Sequence, residues 1–329
     1  MSGLFPDKQV IAWELALTSL QMGIPVMLLY VVESRGSSPG RQGFFMVVNE
    51  RGETEGSIGG GIMEHKFTEL VREQLGRKDI ALSLRRQVHD KDAVRDQSGM
   101  ICSGEQTILL YSFRLEDIAV IRNIKTCLEE HRNGTLQFSP AGMRWLAETP
   151  SHDFSFYKRS ETDWGYEEKV GYKQALLIIG GGHCALAFSR IMRMMDFHIS
   201  VYEHRHSLAT LDRNVFAHEK ILLDDYEELR ERVPDAGNNR CIVVMTLGYR
   251  TDDRAVRALW GKEFGYFGLL GSRAKVERLW GVYRAEGIAE EVLQKIHAPA
   301  GLAIKSQTPE EIAVSIAAEI IQVRNRDRP

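Results

Sequence analysis

The chain has few cysteines, and they stand far apart. Its 329 residues include four, and no two of them form a Cys-x-x-Cys pair. Disulfide frameworks and structural zinc sites depend on closely spaced ligands, so the sequence argues against both, and a His-Glu-x-x-His motif is absent as well. Because disulfides belong to oxidising compartments, this cysteine usage favours a cytoplasmic location. The cysteines are Cys102, Cys127, Cys184 and Cys241.

The sequence also lacks the features of membrane and nucleic-acid-binding proteins. Its best apolar run, Val26–Val32, has the length of a strand and falls short of the roughly 18 apolar residues of a membrane helix. The net charge is −3, and no basic stripe with interleaved aromatic residues is present. We therefore expect neither a membrane nor a nucleic acid as a partner.

Glycine is the residue type that carries information here, because it occurs in two triplets. Gly59–Gly61 precede a helix predicted from Ile62 to about Leu75, and Gly180–Gly182 follow a predicted strand. A glycine triplet costs backbone entropy and adds nothing to a core. Each triplet therefore indicates either an unusually tight turn or a place where the backbone approaches a ligand.

The pattern of elements changes along the chain. Residues 1–115 mix helices with the apolar strands VMLLYVV, FFMVV and QTILLYSF without regular alternation, which predicts an α+β domain. Residues 116–172 hold a predicted helix over Asp117–Glu130 and two hairpins, and we interpret them as a connecting segment. Residues 173–329 alternate strand and helix, which predicts a Rossmann-like, doubly wound parallel sheet. The fold class is therefore α/β.

The second triplet has the context of a dinucleotide-binding turn. Gly180, Gly182 and Ala185 give the order G-x-G-x-x-A between a strand and a helix, and Glu203 lies at the end of the next predicted strand. In such turns the backbone amides approach a pyrophosphate, and the acidic residue accepts a ribose hydroxyl. The alternative is that the glycines only pack strand against helix. The candidate nucleotide-binding residues are Gly180, Gly181, Gly182, His183 and Glu203.

A hydride-transfer enzyme needs a further acid or base beside its nucleotide. No local motif supplies one, and His297 in KIHAPAG is either such a group or part of a structural turn. An NAD(P)-dependent oxidoreductase and a nucleotide-sensing module without catalysis therefore both stay open.

Six stretches stand in order along nearly the whole chain: GSSPGRQGFFMVV, GSIGGGIMEHK, SGMICSGEQTILLY, IIGGGHCALAFSR, GLLGSRAK and KIHAPAGLAIKSQTPEEIAVSIAAEII. Together they resemble the XdhC/CoxI family, the accessory factors of xanthine dehydrogenase and related molybdenum hydroxylases. The resemblance implies a chaperone that binds the molybdenum cofactor (molybdopterin) while a cysteine desulfurase adds the sulfido ligand, and that then helps to deliver it to the apo-enzyme. A homodimer is expected from the apolar face of the last predicted helix.

The resemblance also implies a set of cofactor-binding residues. The first glycine triplet would cradle a phosphate, and Glu64 would lie in the first turn of the following helix, where a carboxylate is favoured. Cys102 would contact molybdenum, although from the residues alone a buried, inert thiol is the alternative. The set consists of Arg35, Ser37, Ser38, Arg41, Gly59, Gly60, Gly61, Glu64 and Cys102, with Gly271, Ser272 and Arg273 as a second anion contact.

Three departures from the family pattern limit what is carried over. The Cys-Gly-Gly stretch of the family is Cys102-Ser103-Gly104 here. Ile62 stands near the point where many members have a second cysteine, so a mechanism with two thiols is not carried over. Leu247 begins the segment where the family often has a histidine, and no role for that histidine is carried over either.

Overall fold

The computed structural model describes residues 8–77, 82–88, 104–233 and 239–326. The chain divides into two compact units, Met1–Gly171 and Tyr172–Pro329. No helix in the described ranges is long and apolar enough to cross a membrane.

The first unit contains two antiparallel sheets. Its elements are α1 (Lys8–Gln21), β1 (Val26–Gly36), β2 (Phe45–Asn49), β3 (Thr54–Gly56), α2 (Gly61–Arg77), β4 (Ser83–Val88), β5 (Gly104–Ser112), α3 (Ile118–Glu129), β6 (Gly134–Ser139), β7 (Gly142–Leu146), β8 (Phe154–Lys158) and β9 (Trp164–Val170). The larger sheet has the order β3-β2-β1-β5-β4. The smaller has the order β7-β6-β9-β8.

Strand β1 is buried on both faces and separates two cores. Met27 and Leu29 point to the core that α2 closes with Met63, Phe67, Val71 and Leu75. Leu28 and Tyr30, which point the other way because side chains alternate along a strand, join a core with α1, α3 and the second sheet. Residues 116–171 thus pack within the first unit.

The second unit is a parallel sheet with helices on both faces. Its elements are β10 (Gln174–Ile179), α4 (His183–Arg193), β11 (Phe197–Glu203), α5 (Ala209–Asp212), β12 (Glu219–Leu222), α6 (Leu229–Arg232), β13 (Arg240–Val244), α7 (Tyr249–Ala258), β14 (Tyr266–Leu269), α8 (Arg273–Ala285), α9 (Glu290–Leu293) and α10 (Pro309–Arg324).

The parallel strands have the order β12-β11-β10-β13-β14. Strands β11 and β12 lie on one side of β10, and β13 and β14 lie on its other side, so the strand order reverses between β10 and β13. Leu177 and Ile179 face a core that contains residues of α7 and α8. Leu176 and Ile178 face a core that contains residues of α4 and α10. This arrangement confirms the predicted fold class, an N-terminal α+β part followed by a Rossmann-like doubly wound sheet, and ligands of such sheets bind at the reversal point.

Candidate functional site

The first glycine triplet lies where three backbone segments meet. A Cβ on Gly59 would meet the backbone of Pro39 and Gly40, and a Cβ on Gly104 would meet the backbone of Ser37 and Ser38. No side chain fits between these segments, which explains glycine at both positions. The loop after β1, the triplet and the start of β5 therefore form one tightly packed region.

A buried glutamine holds this region together through hydrogen bonds to the loop after β1 and to α2. Gln106 on β5 is 1% exposed, and its Oε1 lies 2.8 Å from Ser38 Oγ and 3.2 Å from the amide nitrogen of Gly40. Its Nε2 lies 3.1 Å from Met63 Sδ on α2. Ser38 is consequently a buried structural partner of the loop, whereas Ser37 beside it is exposed.

Glu64 accepts hydrogen bonds from the Gly60 amide and from two donors just before the triplet. One oxygen, Oε1, accepts hydrogen bonds from Ser57 Oγ at 2.6 Å, from the Ile58 amide at 2.8 Å and from the Gly60 amide at 2.7 Å. The helix dipole favours a carboxylate in this first turn of α2. An incoming anion that uses the same donors must therefore take the place of Glu64. A Cβ on Gly60 would meet no atom of the described residues within 4 Å, so among these residues open space adjoins the donors.

The two arginines of the loop are exposed and each has an internal partner. Arg35 donates to Glu33 Oε1 at 2.9 Å, and Arg41 donates to the Gly36 carbonyl at 2.9 Å. Both remain at the surface of the loop. Cys102 lies outside the described residues.

The second triplet forms the turn from β10 to α4. Gly180 has a φ of +110°, and a Cβ there would run into the backbone of Met245 and Thr246, at the end of the neighbouring strand. Gly182 has a φ of −70°, and a Cβ there would meet no atom within 4 Å in the part of the chain that the structure describes. His183 begins α4 and is exposed. The turn thus packs tightly at its first glycine and opens at its third.

Glu203 is tied to this turn and is fully buried. Its Oε2 accepts from the Gly181 amide at 2.7 Å and from Arg205 Nη2 at 2.6 Å. Its Oε1 accepts from the amides of His204 and Arg205, from Arg205 Nε and from the Tyr226 hydroxyl. Burial alone would raise the pKa of the Glu203 carboxyl, but these hydrogen bonds outweigh burial and lower that pKa to about 2.

The side chain of Lys275, in the first turn of α8, stabilises the turn that precedes this helix. Ser272 caps α8 by accepting from the Lys275 amide, and Lys275 Nζ donates to the buried Asp252 and to the Leu270 carbonyl, both at 2.5 Å. A Cβ on Gly271 would collide with the Lys275 side chain. Arg273 is exposed. The GLLGSRAK motif contains two cations, Arg273 and Lys275. Lys275 therefore forms a structural ion pair.

The described cysteines lack the properties of activated thiols. Burial raises the pKa of Cys127 to about 11 and that of Cys241 to about 12, and it also raises the pKa of Cys184, with a contribution from Glu310. A reactive cysteine needs a lowered pKa. In the described ranges, no group of three or more His, Cys, Asp or Glu side chains is arranged to hold a metal ion.

Within each unit, the structure brings some of the predicted residues together. In the first unit, the loop after β1 packs against the first glycine triplet, which is hydrogen-bonded to Glu64. In the second unit, the second glycine triplet is hydrogen-bonded to Glu203. Sequence reasoning missed Gln106, Arg205 and Tyr226. Arg205 had a local signal, since it stands two residues after the acidic end of β11, but the contact of Tyr226 with Glu203 depends on tertiary packing.

Two family models match this chain. One is described as "XdhC and CoxI family" and matches residues 19–84, and the other is described as "XdhC Rossmann domain" and matches residues 176–320. The chain belongs to the XdhC and CoxI family.

Individual relatives extend the similarity over both units. The chain is 26% identical over 309 residues to the uncharacterized protein YqeB of Escherichia coli K12, which covers 93% of this chain but 44% of that protein. It is 22% identical over 324 residues to a probable xanthine dehydrogenase subunit of Bacillus subtilis 168, over 91% of this chain and 93% of that protein. A crystal structure of a xanthine dehydrogenase from Bacillus halodurans has the same fold, with a TM-score of 0.67, 21% identity and 96% coverage of both chains.

Proposed function

We propose that this protein is an accessory factor for a molybdenum hydroxylase of the xanthine dehydrogenase type. The observation that carries the proposal is membership of the XdhC and CoxI family, with matches in both compact units. A relative that matches nearly the full length is named as a probable component of xanthine dehydrogenase. The partner is then the apo-enzyme of such a hydroxylase, and the cytoplasm is the compartment in which they meet.

The donors around the first triplet fit the phosphate of the molybdenum cofactor. The Ser57 hydroxyl and the amides of Ile58 and Gly60 converge on one carboxylate oxygen, and a phosphate oxygen accepts the same hydrogen bonds. We assign the phosphate to these donors, with Glu64 giving way. Arg35 and Arg41 would supply positive charge from the exposed side of the loop. When bound, the cofactor supplies the molybdenum that the hydroxylase requires.

Cys102 is the proposed contact to molybdenum. A thiolate is a soft ligand that suits this metal, and Cys102 stands in the stretch of this sequence that resembles the cysteine motif of the family. Within the same proposal, a cysteine desulfurase supplies the sulfido ligand, and the protein holds the cofactor without converting it. The apolar face of α10, on which the expectation of a homodimer rests, packs against α4 and the sheet within the second unit, so the homodimer stays a prediction without support from that face.

Expression of a molybdenum hydroxylase with and without this protein tests the accessory role. The expected result is a higher fraction of enzyme that carries the sulfido ligand, measured as cyanide-releasable sulfur per molybdenum, when the protein is present. Equal sulfur content in both preparations, with equal molybdenum content, contradicts the role for that partner.

Quenching of intrinsic fluorescence by isolated molybdopterin tests the cofactor site. We expect saturable binding that Cys102→Ala weakens at least tenfold, whereas Cys184→Ala, which removes a thiol in the second unit, leaves it unchanged. Equal affinities for the two variants would remove Cys102 from the proposal.

The second unit supports a further proposal, nucleotide binding at the turn from β10 to α4. The open position beside Gly182 and the start of an eleven-residue helix are the features that hold a pyrophosphate in this fold. Titration with NADP⁺ and NAD⁺ tests it, and Gly182→Val, which fills the open position, should abolish binding. Consumption of NADPH with an added carbonyl or imine substrate would favour an oxidoreductase, and binding without turnover would favour a sensing role.

A further inference from the structure

Just after β11, the second unit exposes the guanidinium of Arg205, and the carboxylate of Glu203 at the end of the strand lies buried beneath it. Glu203 is fully buried, and one of its oxygens accepts from the turn while the other accepts from the following backbone and from Tyr226. In nucleotide-binding sheets, the residue at this position receives the hydroxyls of the adenosine ribose only if its carboxylate is accessible. The Glu203 carboxylate is therefore not available to a ribose 2′-hydroxyl.

Arg205 covers that carboxylate. Its Nε and Nη2 pair with the two oxygens of Glu203 at 3.0 and 2.6 Å, a bidentate arrangement that fixes the plane of the guanidinium. The side chain is 28% exposed, and Nη1 has no partner among the described residues. Glu203 thus acts as an anchor that orients a cation whose outer edge remains able to donate.

We infer that the nucleotide site of the second unit selects a ribose carrying a 2′-phosphate, and that Arg205 recognises this phosphate. The inference rests on the proposed nucleotide binding and names its ligand class, NADP(H) rather than NAD(H). A guanidinium edge suits a phosphate, which carries up to two negative charges and several acceptors. A ribose hydroxyl carries no charge and finds no acceptor for its own proton on a guanidinium. The neighbouring His206 is exposed on the same segment.

Calorimetric titration of the full chain tests the inference. The wild-type protein should bind NADP⁺ at least tenfold more tightly than NAD⁺, and 2′,5′-ADP more tightly than 5′-ADP by a similar factor. Arg205→Ala should weaken NADP⁺ at least tenfold and leave NAD⁺ unchanged or tighter, because it uncovers Glu203. Arg230→Ala, which removes an exposed arginine from α6, should preserve the wild-type ratio.

Each other outcome has a defined meaning. Equal affinities, or tighter binding of NAD⁺, on the wild-type protein would overturn the inference and leave nucleotide binding in place. An Arg205→Ala variant that weakens both nucleotides equally would assign Arg205 a structural role and overturn the inference as well. Absence of binding by every nucleotide would overturn the proposed nucleotide binding itself, and the inference with it.

Discussion

Gly180 and Gly182 stand two residues apart in one turn, yet they face different constraints. Alanine at 180 would sit at a φ of +110° against the backbone of Met245, and strained backbone of this kind costs about 1–3 kcal/mol before any collision is counted. We expect Gly180→Ala to lower the free energy of unfolding by at least about 2 kcal/mol and Gly182→Ala to change it by less than about 0.5 kcal/mol. Urea unfolding of both variants checks this, and equal losses would contradict the geometry of the turn.

Glu203 makes the stability of the protein depend on pH. Its pKa falls from an ordinary value of 4.5 to about 2, so its ionised form stabilises the fold above pH 4.5, and this contribution is lost as the pH falls toward 2. The shift corresponds to about 3 kcal/mol. We expect Glu203→Gln to be less stable than wild type by roughly that amount at pH 7, and the difference to narrow by about 1–2 kcal/mol at pH 3.5. Urea unfolding at both pH values measures this difference in the free energy of unfolding. A difference that does not change with pH would contradict a lowered pKa for Glu203.

The sequence predicted where the site residues lie in the fold better than it predicted their hydrogen-bond partners. The sequence placed Glu64 in the first turn of α2 and Glu203 at the end of β11, and the structure confirms both locations. Local spacing could not indicate that Glu64 accepts from the Gly60 amide and Glu203 from the Gly181 amide, because neither contact belongs to a regular helix or strand pattern. Gln106 shows the same limit, since its partners come from segments more than 40 positions away.

At the scale of elements, Lys275 joins α7 and α8 to the end of β14. Its ammonium pairs with Asp252, which is fully buried, and with the Leu270 carbonyl. Removal of one member of such a pair leaves a buried charge and costs about 3–5 kcal/mol. We expect Lys275→Met to lower the free energy of unfolding by about 3 kcal/mol.

A double-mutant cycle separates this pair from general packing. Lys275→Met combined with Asp252→Asn should be less destabilising than the sum of the single variants by at least about 1 kcal/mol, because the second change removes the unpaired charge. Urea unfolding of the four proteins provides the measurement. Additive losses would mean that the two side chains do not act as a pair.

The elements themselves followed their sequence patterns to different degrees. The alternation of apolar strands with amphipathic helices predicted the second unit, because a parallel sheet covered on both faces requires continuous apolar strands. In the first unit, β4 was missed, since its sequence SLRRQV has no apolar run and lies at the edge of the sheet. The two hairpins were predicted, but their union in one four-stranded sheet depends on pairing between β6 and β9, which are more than 20 residues apart.

At the scale of the whole molecule, the role of residues 116–171 decides where the chain can be divided. Tyr30 on β1 packs against Phe138 and Tyr166 of the second sheet, with ring centroids 5.2 and 5.6 Å away. The hydroxyls of both tyrosines donate to Glu168 Oε2 at 2.6 Å. Burial, reinforced by Glu168, raises the pKa of Tyr30. The first sheet and the second therefore share one core, and we propose that residues 1–171 form a single folding unit.

Three fragments test this division. We expect residues 1–171 and residues 172–329 each to unfold cooperatively on heating, as followed by circular dichroism, because each contains its own complete cores. A fragment of residues 1–115 should show no cooperative transition, since it would lose α3 and the second sheet, which complete the core around Leu28, Tyr30 and α1. A cooperatively folded 1–115 fragment would instead establish the second sheet as a separable addition, and the shared core would then contribute little to the stability of the first.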